Sequence, residues 1–245
     1  MINDGHFHMH YFAPNLVPGI SKDFSYPYDM ERIRKIKDQY KIDNIVGIFI
    51  PPNLNIVKKV LDENPYIHPG IYISPEDRSV ERLEKLKDPF EFIKIHNYWF
   101  FKTVEEIVSN STSLGFKKFQ IHTNEISDKM LDMIREYVRK HDSIFYLVHG
   151  VDAVYRYDSK VNVNELKKLE GNLLLGTSPP NSLIEIPNVN IKRAIDANLE
   201  NIVVFESDFA LPYPDESYYP IIQSVTGSVG NNEKILYENV KLFLD

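Results

Sequence analysis

Eight short apolar segments alternate with eight helical segments along this chain, and this alternation restricts the possible folds more than any other feature. Short runs rich in Ile, Val, Phe or Tyr are typical of parallel strands that are buried on both faces. The predicted strands are Ile2–His8, Asn44–Ile50, Ile67–Ile73, Phe90–His96, Lys117–His122, Ile144–His149, Leu173–Thr177 and Ile202–Asp208. Strands joined by helices pair in parallel through right-handed crossovers, and eight such units favour closure. The sequence therefore predicts an α/β fold, a (β/α)8 TIM barrel.

The segments between these strands carry apolar residues at helical spacing. In the fifth of them, Leu131, Ile134 and Val138 recur at intervals of three and four residues, and Ser127 is placed to cap the helix. The predicted helices are Met30–Gln39, Asn55–Glu63, Val80–Lys87, Val104–Ser113, Asp128–Lys140, Asn164–Leu169, Ile191–Asn198 and Glu233–Leu244. The length of 245 residues is usual for one barrel, so we predict a single domain over residues 1–245.

Composition narrows the function classes. The chain contains no Cys, which removes disulfides, thiolate ligands and cysteine nucleophiles from consideration. A net charge of −7 argues against a general nucleic-acid binder and favours small-molecule substrates, although a local basic groove stays open. No apolar run has the length of a membrane span, and the first residues lack the pattern of a secretory signal. We therefore expect a cytoplasmic protein without membrane association; its oligomeric state stays open.

Side chains that bind metals stand at the ends of four predicted strands. His6 and His8 lie on the first strand, with Asp4 expected deeper on the same face. His122, His149 and Asp208 stand at the ends of the fifth, sixth and eighth strands. In a TIM barrel the carboxyl ends of the strands meet at one mouth, where the chemistry takes place. Nitrogen and oxygen donors converging there predict a divalent metal site.

The order of these donors resembles the amidohydrolase superfamily, in particular its TatD-like and amidohydrolase-related branches. The matching segments are DGHFHMH, QIHTN, LVHG and ESDFALP, and ESDFALP is also similar to the E-T-D-x-P signature of TatD-type hydrolases. The resemblance extends over essentially the whole chain and includes the closing helix in NEKILYENVKLFL. It implies that His6, His8, His122, His149 and Asp208 bind metal.

The sequence does not decide which residue of the fourth strand would bind the metal. Many relatives carry a carboxylated lysine there, which would correspond to Lys94 in PFEFIKIHNYW, with His96 as the other candidate. A lysine desolvated inside a barrel loses proton affinity and could react with carbon dioxide. A competing alignment places Gln120 at the lysine position and leaves one ligand missing. We prefer Lys94 because that alignment preserves all eight strands.

The resemblance implies a metal-dependent hydrolase with one or two divalent ions, and the His-rich donor set favours Zn²⁺. Asp208 would act as the catalytic base that accepts a proton from the attacking water. The expected reaction is cleavage of an amide, cyclic amide, ester or lactone in a small molecule. The alternatives are a TatD-like deoxyribonuclease, a metal-dependent decarboxylase, and a barrel that binds metal without turnover.

Overall fold

The computed structural model describes residues 1–9, 28–49, 54–96, 101–155, 159–178, 188–210 and 215–245. The strands in these ranges are β1 Ile2–His8, β2 Ile42–Phe49, β3 Ile67–Tyr72, β4 Phe92–His96, β5 Lys118–His122, β6 Ile144–Val148, β7 Leu173–Gly176, β8 Val203–Val204 and β9 Phe209–Ala210. The α-helices are α1 Tyr28–Tyr40, α2 Leu54–Glu63, α3 Val80–Leu86, α4 Phe101–Ser113, α5 Asp128–His141, α6 Gly150–Tyr155, α7 Val163–Lys167, α8 Val189–Asp196, α9 Tyr218–Val229 and α10 Lys241–Leu244.

All of these strands belong to one parallel sheet. Strands β1 to β8 pair with their neighbours in chain order, and β9 pairs with the other edge of β1. The short strands β8 and β9 together occupy the position of an eighth strand, so the sheet forms a nearly closed barrel surrounded by helices. The predicted (β/α)8 TIM-barrel fold is confirmed. The assignment of the whole chain to one domain stays a prediction.

The core lies between the barrel and its helices. Phe119, Phe145 and Leu173 are buried there, as are Leu131 and Ile134 of α5. The Oγ of Ser127 accepts a hydrogen bond from Met130 N at 3.3 Å, which confirms the predicted cap. Apolar burial on this inner face packs the helices against the barrel, whose strands carry the metal-binding side chains at their carboxyl ends.

Two predicted elements differ from the structure in more than the positions of their ends. The eighth strand, predicted as Ile202–Asp208, is interrupted between β8 and β9, and Asp208, in the interruption, has a left-handed backbone with a φ of 50°. The final helix, predicted as Glu233–Leu244, is a π-helical turn at Lys234–Glu238 followed by α10. Residues Ile50, Leu211 and Pro212, which belonged to predicted motifs, lie outside the described residues. Within the described ranges no helix is both long enough and apolar enough to cross a membrane.

Candidate metal centre

Two histidines and one aspartate meet at the carboxyl ends of the first and eighth strands. His6 Nε2 and His8 Nε2 lie 3.1 Å apart. The Oδ1 of Asp208 lies 3.2 Å from His6 Nε2 and 3.0 Å from His8 Nε2. Donors held about 2.0–2.2 Å from a tetrahedral zinc ion would be spaced roughly 3.3–3.6 Å apart, slightly more than the spacing found here. This group can therefore hold a divalent metal at the point predicted from the sequence.

Backbone contacts between the first and eighth strands bring these side chains together. Asp208 N donates to the carbonyl oxygen of His6 at 3.0 Å, and Gly5 N donates to the carbonyl oxygen of Phe205 at 3.0 Å. Asp208 has a positive φ of 50°, which is an uncommon conformation for a residue with a side chain. Such strain persists where the surrounding structure enforces it and is frequent at functional sites. Here it accompanies a carboxylate directed at the two imidazoles.

Gln120 determines which nitrogen of His6 carries the proton. The side-chain amide nitrogen of Gln120 donates to the carbonyl oxygen of Gly5 at 2.8 Å. Its Oε1 therefore faces His6 Nδ1, at 2.8 Å, and accepts the Nδ1 hydrogen. In the neutral ring this leaves a lone pair on His6 Nε2, which faces the Asp208 oxygen. The lone pairs of His6 Nε2 and Asp208 Oδ1 then face each other across 3.2 Å and repel unless a cation lies between them. These residues therefore fit a metal ion.

His149 is held in the same tautomer by a different neighbour. Its Nδ1 lies 2.9 Å from the carbonyl oxygen of Ser178, which can only accept, so the proton resides on Nδ1. In the neutral ring its Nε2 then carries no proton, and it lies 3.7 Å from Asp208 Oδ2. His149 also has a positive φ, of 57°. The structure thus places a second lone-pair nitrogen, besides that of His6, next to the Asp208 carboxylate.

The histidines of the fifth and fourth strands line the neighbouring part of the mouth. The rings of His122 and His149 meet edge to face with centroids 4.4 Å apart. His96 stacks on His122 at 4.5 Å, and Tyr72 packs against His96 at 5.3 Å. Among the described residues, the compact donor group contains His6, His8 and Asp208 but neither His122 nor His149.

Lys94 lies on β4, as the preferred alignment requires, and is paired in register with Gln120 on β5. Its side chain is fully buried, and its Nζ has no hydrogen-bond partner among the described residues. Burial lowers the pKa of Lys94 to about 7, against the opposing effect of the Asp208 and Glu206 carboxylates. A lysine with this pKa is partly neutral near pH 7, which carboxylation would require.

Electrostatics favour metal-binding forms of the ligands. Burial lowers the pKa of His6 and His122 well below the ordinary value, and the charge of Lys94 lowers both further. Burial also lowers the pKa of His8. For Asp208, burial opposes ionisation, but its close contacts with the His6 and His8 rings hold its pKa well below the usual range. At neutral pH the site therefore offers neutral imidazoles and an ionised carboxylate.

Asp4 does not point with the histidines as strand alternation predicted. The pairing register of β1 shifts between Asp4 and Phe7, so the strict alternation of faces is broken. The Asp4 carboxylate instead accepts hydrogen bonds from the hydroxyls of Ser207 and Tyr218, each at 2.6 Å. Asp4 thereby fixes the residue next to Asp208 rather than facing the metal donors.

Several solved structures share this fold over nearly their full length. A zinc-bound amidohydrolase from Burkholderia multivorans has a TM-score of 0.61 at 9% identity, covering 100% of this chain and 99% of its own. Amidohydrolase 2 from Bifidobacterium longum subsp. infantis has a TM-score of 0.60 at 15% identity, and the match covers 98% of this chain and 96% of the Bifidobacterium chain. A probable 2-pyrone-4,6-dicarboxylic acid hydrolase from Acinetobacter baumannii was solved with citric acid bound. It has a TM-score of 0.57 at 14% identity, and the match covers 100% of this chain and 99% of the Acinetobacter chain.

These identities are low, so the likeness is one of fold, and at that level the predicted resemblance to amidohydrolases is confirmed. No protein-family model matches the sequence, and no curated protein matches it either.

Sequence reasoning missed the residues that orient the histidines. Gln120 was considered only as a substitute for the strand-4 lysine, whereas it binds the His6 ring. Ser178 was not considered at all, although it follows β7 at the same end of the barrel. Its position as a small polar residue after a buried strand is the signal that could have indicated a role at the mouth.

Proposed function

We propose that this protein is a metal-dependent hydrolase whose metal is held by His6, His8 and Asp208. The observation that supports this most strongly is the convergence of two buried imidazole nitrogens and one carboxylate oxygen at 3.0–3.2 Å. Hydrogen bonding to Gln120 leaves the His6 lone pair directed at this point. A purely structural role would not require two hydrogen-bond acceptors to face each other inside the barrel.

His149 completes the proposed ligand set, since its unprotonated Nε2 faces the same carboxylate. His122 is proposed as a further ligand or substrate contact beside His149. Lys94 is proposed as a ligand on the condition that its amine is carboxylated, which would allow a second ion. The His-rich set with one carboxylate suits Zn²⁺.

Asp208 is the proposed catalytic residue. A divalent metal, when bound, supplies Lewis acidity that makes water more acidic and polarises a substrate carbonyl. About 27% of the Asp208 side chain is exposed, whereas His6 and His8 are buried, so its carboxylate is the most accessible of the three side chains. With Oδ1 turned towards the histidines, Oδ2 accepts a proton from the attacking water and delivers it to the leaving group. Its lowered pKa keeps Asp208 ionised across the neutral range.

The proposed substrates are small molecules with an amide, cyclic amide, ester or lactone bond. The name of the Acinetobacter baumannii protein, which describes a hydrolase of a pyrone dicarboxylic acid, is consistent with the lactone class. The net charge of −7 also favours small molecules over DNA.

The test combines metal analysis with kinetics. We expect the purified protein to contain a divalent metal, to lose lactone- or amide-hydrolysing activity on treatment with a chelator, and to regain it with Zn²⁺. Asp208→Asn should lower kcat by at least about 100-fold, because it removes the base. Asp132→Asn, at an exposed position that pairs with Arg135, is the matched control and should be fully active.

Full activity in metal-free protein would refute the proposal. Cleavage of single-stranded DNA, or release of carbon dioxide without consumption of water, would replace hydrolysis of small molecules by the nuclease or decarboxylase alternative.

A further inference from the structure

Glu206 is a fully buried carboxylate that lies two residues before Asp208 and has no part in the chemistry proposed above. Its Oε1 accepts hydrogen bonds from His149 N at 2.8 Å, from Ser178 N at 3.2 Å and from Ser178 Oγ at 2.5 Å. Its Oε2 accepts one from the Tyr146 hydroxyl at 2.8 Å. Burying a carboxylate is costly without such donors, and four of them converge here.

Three of the four contacts act on His149 or on the residue that holds its ring. Glu206 fixes the His149 N–H directly, at a backbone with a positive φ of 57°. It also orients Ser178, whose carbonyl oxygen and Oγ each lie 2.9 Å from His149 Nδ1. Because the Ser178 hydroxyl donates its only hydrogen to Glu206, its oxygen is left to accept from Nδ1. The contacts therefore run in one direction, from Glu206 through Ser178 to the imidazole.

We propose that Glu206 is a positioning residue for metal binding, which fixes the backbone, the ring and the tautomer of His149 so that Nε2 faces Asp208. This inference rests on the proposed metal site and adds a residue to it. Acting through His149, Glu206 supplies an acceptor of the kind that orients metal-binding histidines and sets their proton.

The Glu206 carboxylate packs directly against Gly176, where only a glycine leaves enough room for it. A Cβ atom at Gly176 would lie 1.9 Å from Glu206 Oε2, so any side chain there must displace the carboxylate. The neighbouring Thr177 Oγ1 accepts a hydrogen bond from Glu206 N at 3.2 Å, which fixes the backbone of the residue as well. Gly176→Ala is thus a way to move Glu206 without changing its chemistry.

The experiment measures Zn²⁺ affinity of the full chain by competition with a chromogenic chelator. Glu206→Gln keeps the shape of the side chain but replaces one acceptor oxygen by an amide group, and Ser178→Ala removes the hydroxyl link. Each should weaken Zn²⁺ binding by about 10–100-fold, the usual effect of removing a partner of a ligand. Gly176→Ala should also weaken it. Glu165→Gln, which changes a carboxylate on the surface, is the matched control and should bind like the wild type.

A double-mutant comparison separates positioning from general damage. In a His149→Ala background, Glu206→Gln should cause no further loss of Zn²⁺ affinity, because the ring through which it acts is gone. An equal loss in that background would overturn the proposal, as would wild-type affinity in both Glu206→Gln and Ser178→Ala. A wild-type protein that binds no Zn²⁺ at all would instead refute the proposed function.

Discussion

Replacing Lys94 by Met should stabilise the metal-free protein at neutral pH, although it removes a charged residue from the centre of the barrel. Lys94 is fully buried, and its Nζ makes no hydrogen bond within the described ranges. An ammonium in such a place loses its hydration without full compensation, and Met fills a similar volume without that cost.

The pKa of Lys94 gives the expected magnitude. Burial lowers it from 10.5 to about 7, so between these values the unfolded chain binds more protons than the folded one. The stability of the wild type therefore rises with pH across this window, and the penalty is complete below about pH 7. At about 1.4 kcal/mol per pH unit, the full penalty is about 5 kcal/mol. The advantage of Lys94→Met should be close to this value below pH 7 and should vanish as the pH approaches 10.5.

Guanidinium unfolding of chelator-treated protein, at several pH values between about 6 and about 10, measures this difference. Lys85→Met, at an exposed helix position, is the matched control and should change stability by less than about 0.5 kcal/mol. A Lys94→Met protein that is equally or less stable than the wild type at neutral pH would refute the reasoning. If the wild type is as stable as Lys94→Met, mass spectrometry shows whether Lys94 is carboxylated. A mass increase equal to one carbon dioxide on this residue would explain the missing penalty, because the ammonium would then be absent.

Three further substitutions test the contacts around the site. Gln120→Leu should weaken Zn²⁺ binding by about 10–100-fold, because His6 loses the acceptor that sets its tautomer; unchanged affinity in a chelator competition would contradict this role. Tyr218→Phe should lower the free energy of unfolding by about 1.5–3 kcal/mol, since Asp4 loses a hydrogen bond of 2.6 Å, and a negligible change in denaturant unfolding would count against it. Ser127→Ala should cost about 0.5–2 kcal/mol through loss of the helix cap while Zn²⁺ affinity stays the same; reduced affinity would show that the site is not independent of α5.

The strand pattern predicted the barrel because buried parallel strands are continuous apolar runs. The first strand agrees with the prediction at both ends, and the fifth and sixth strands agree within one residue. The helix at Tyr218–Val229 was missed, because its sequence YYPIIQSVTGSV mixes Pro, Gly and β-branched residues. The break in the eighth strand was missed as well, since the apolar run before Asp208 gives no sign of the left-handed backbone that this residue adopts where it contacts the first strand.

Strand-end positions identified the donors of the candidate site but not the residues that orient them. His6, His8 and Asp208 could be grouped because TIM-barrel strands end at a common mouth. The contacts of Gln120 with His6 and of Ser178 with His149 depend on which side chains meet across the barrel. One sequence carries no direct record of such cross-strand contacts. The ligand roles of His6, His8, Lys94, His122, His149 and Asp208 all stay predictions, as does the catalytic role of Asp208.

The central claim is that one cation is shared by side chains from the first and eighth strands. Anomalous scattering at the zinc edge, from crystals of the Zn²⁺-loaded protein, tests it most directly. We predict a peak about 2.0–2.2 Å from His6 Nε2, His8 Nε2 and an oxygen of Asp208. A well-ordered site without such a peak, or a zinc ion bound only elsewhere on the protein, would contradict the account.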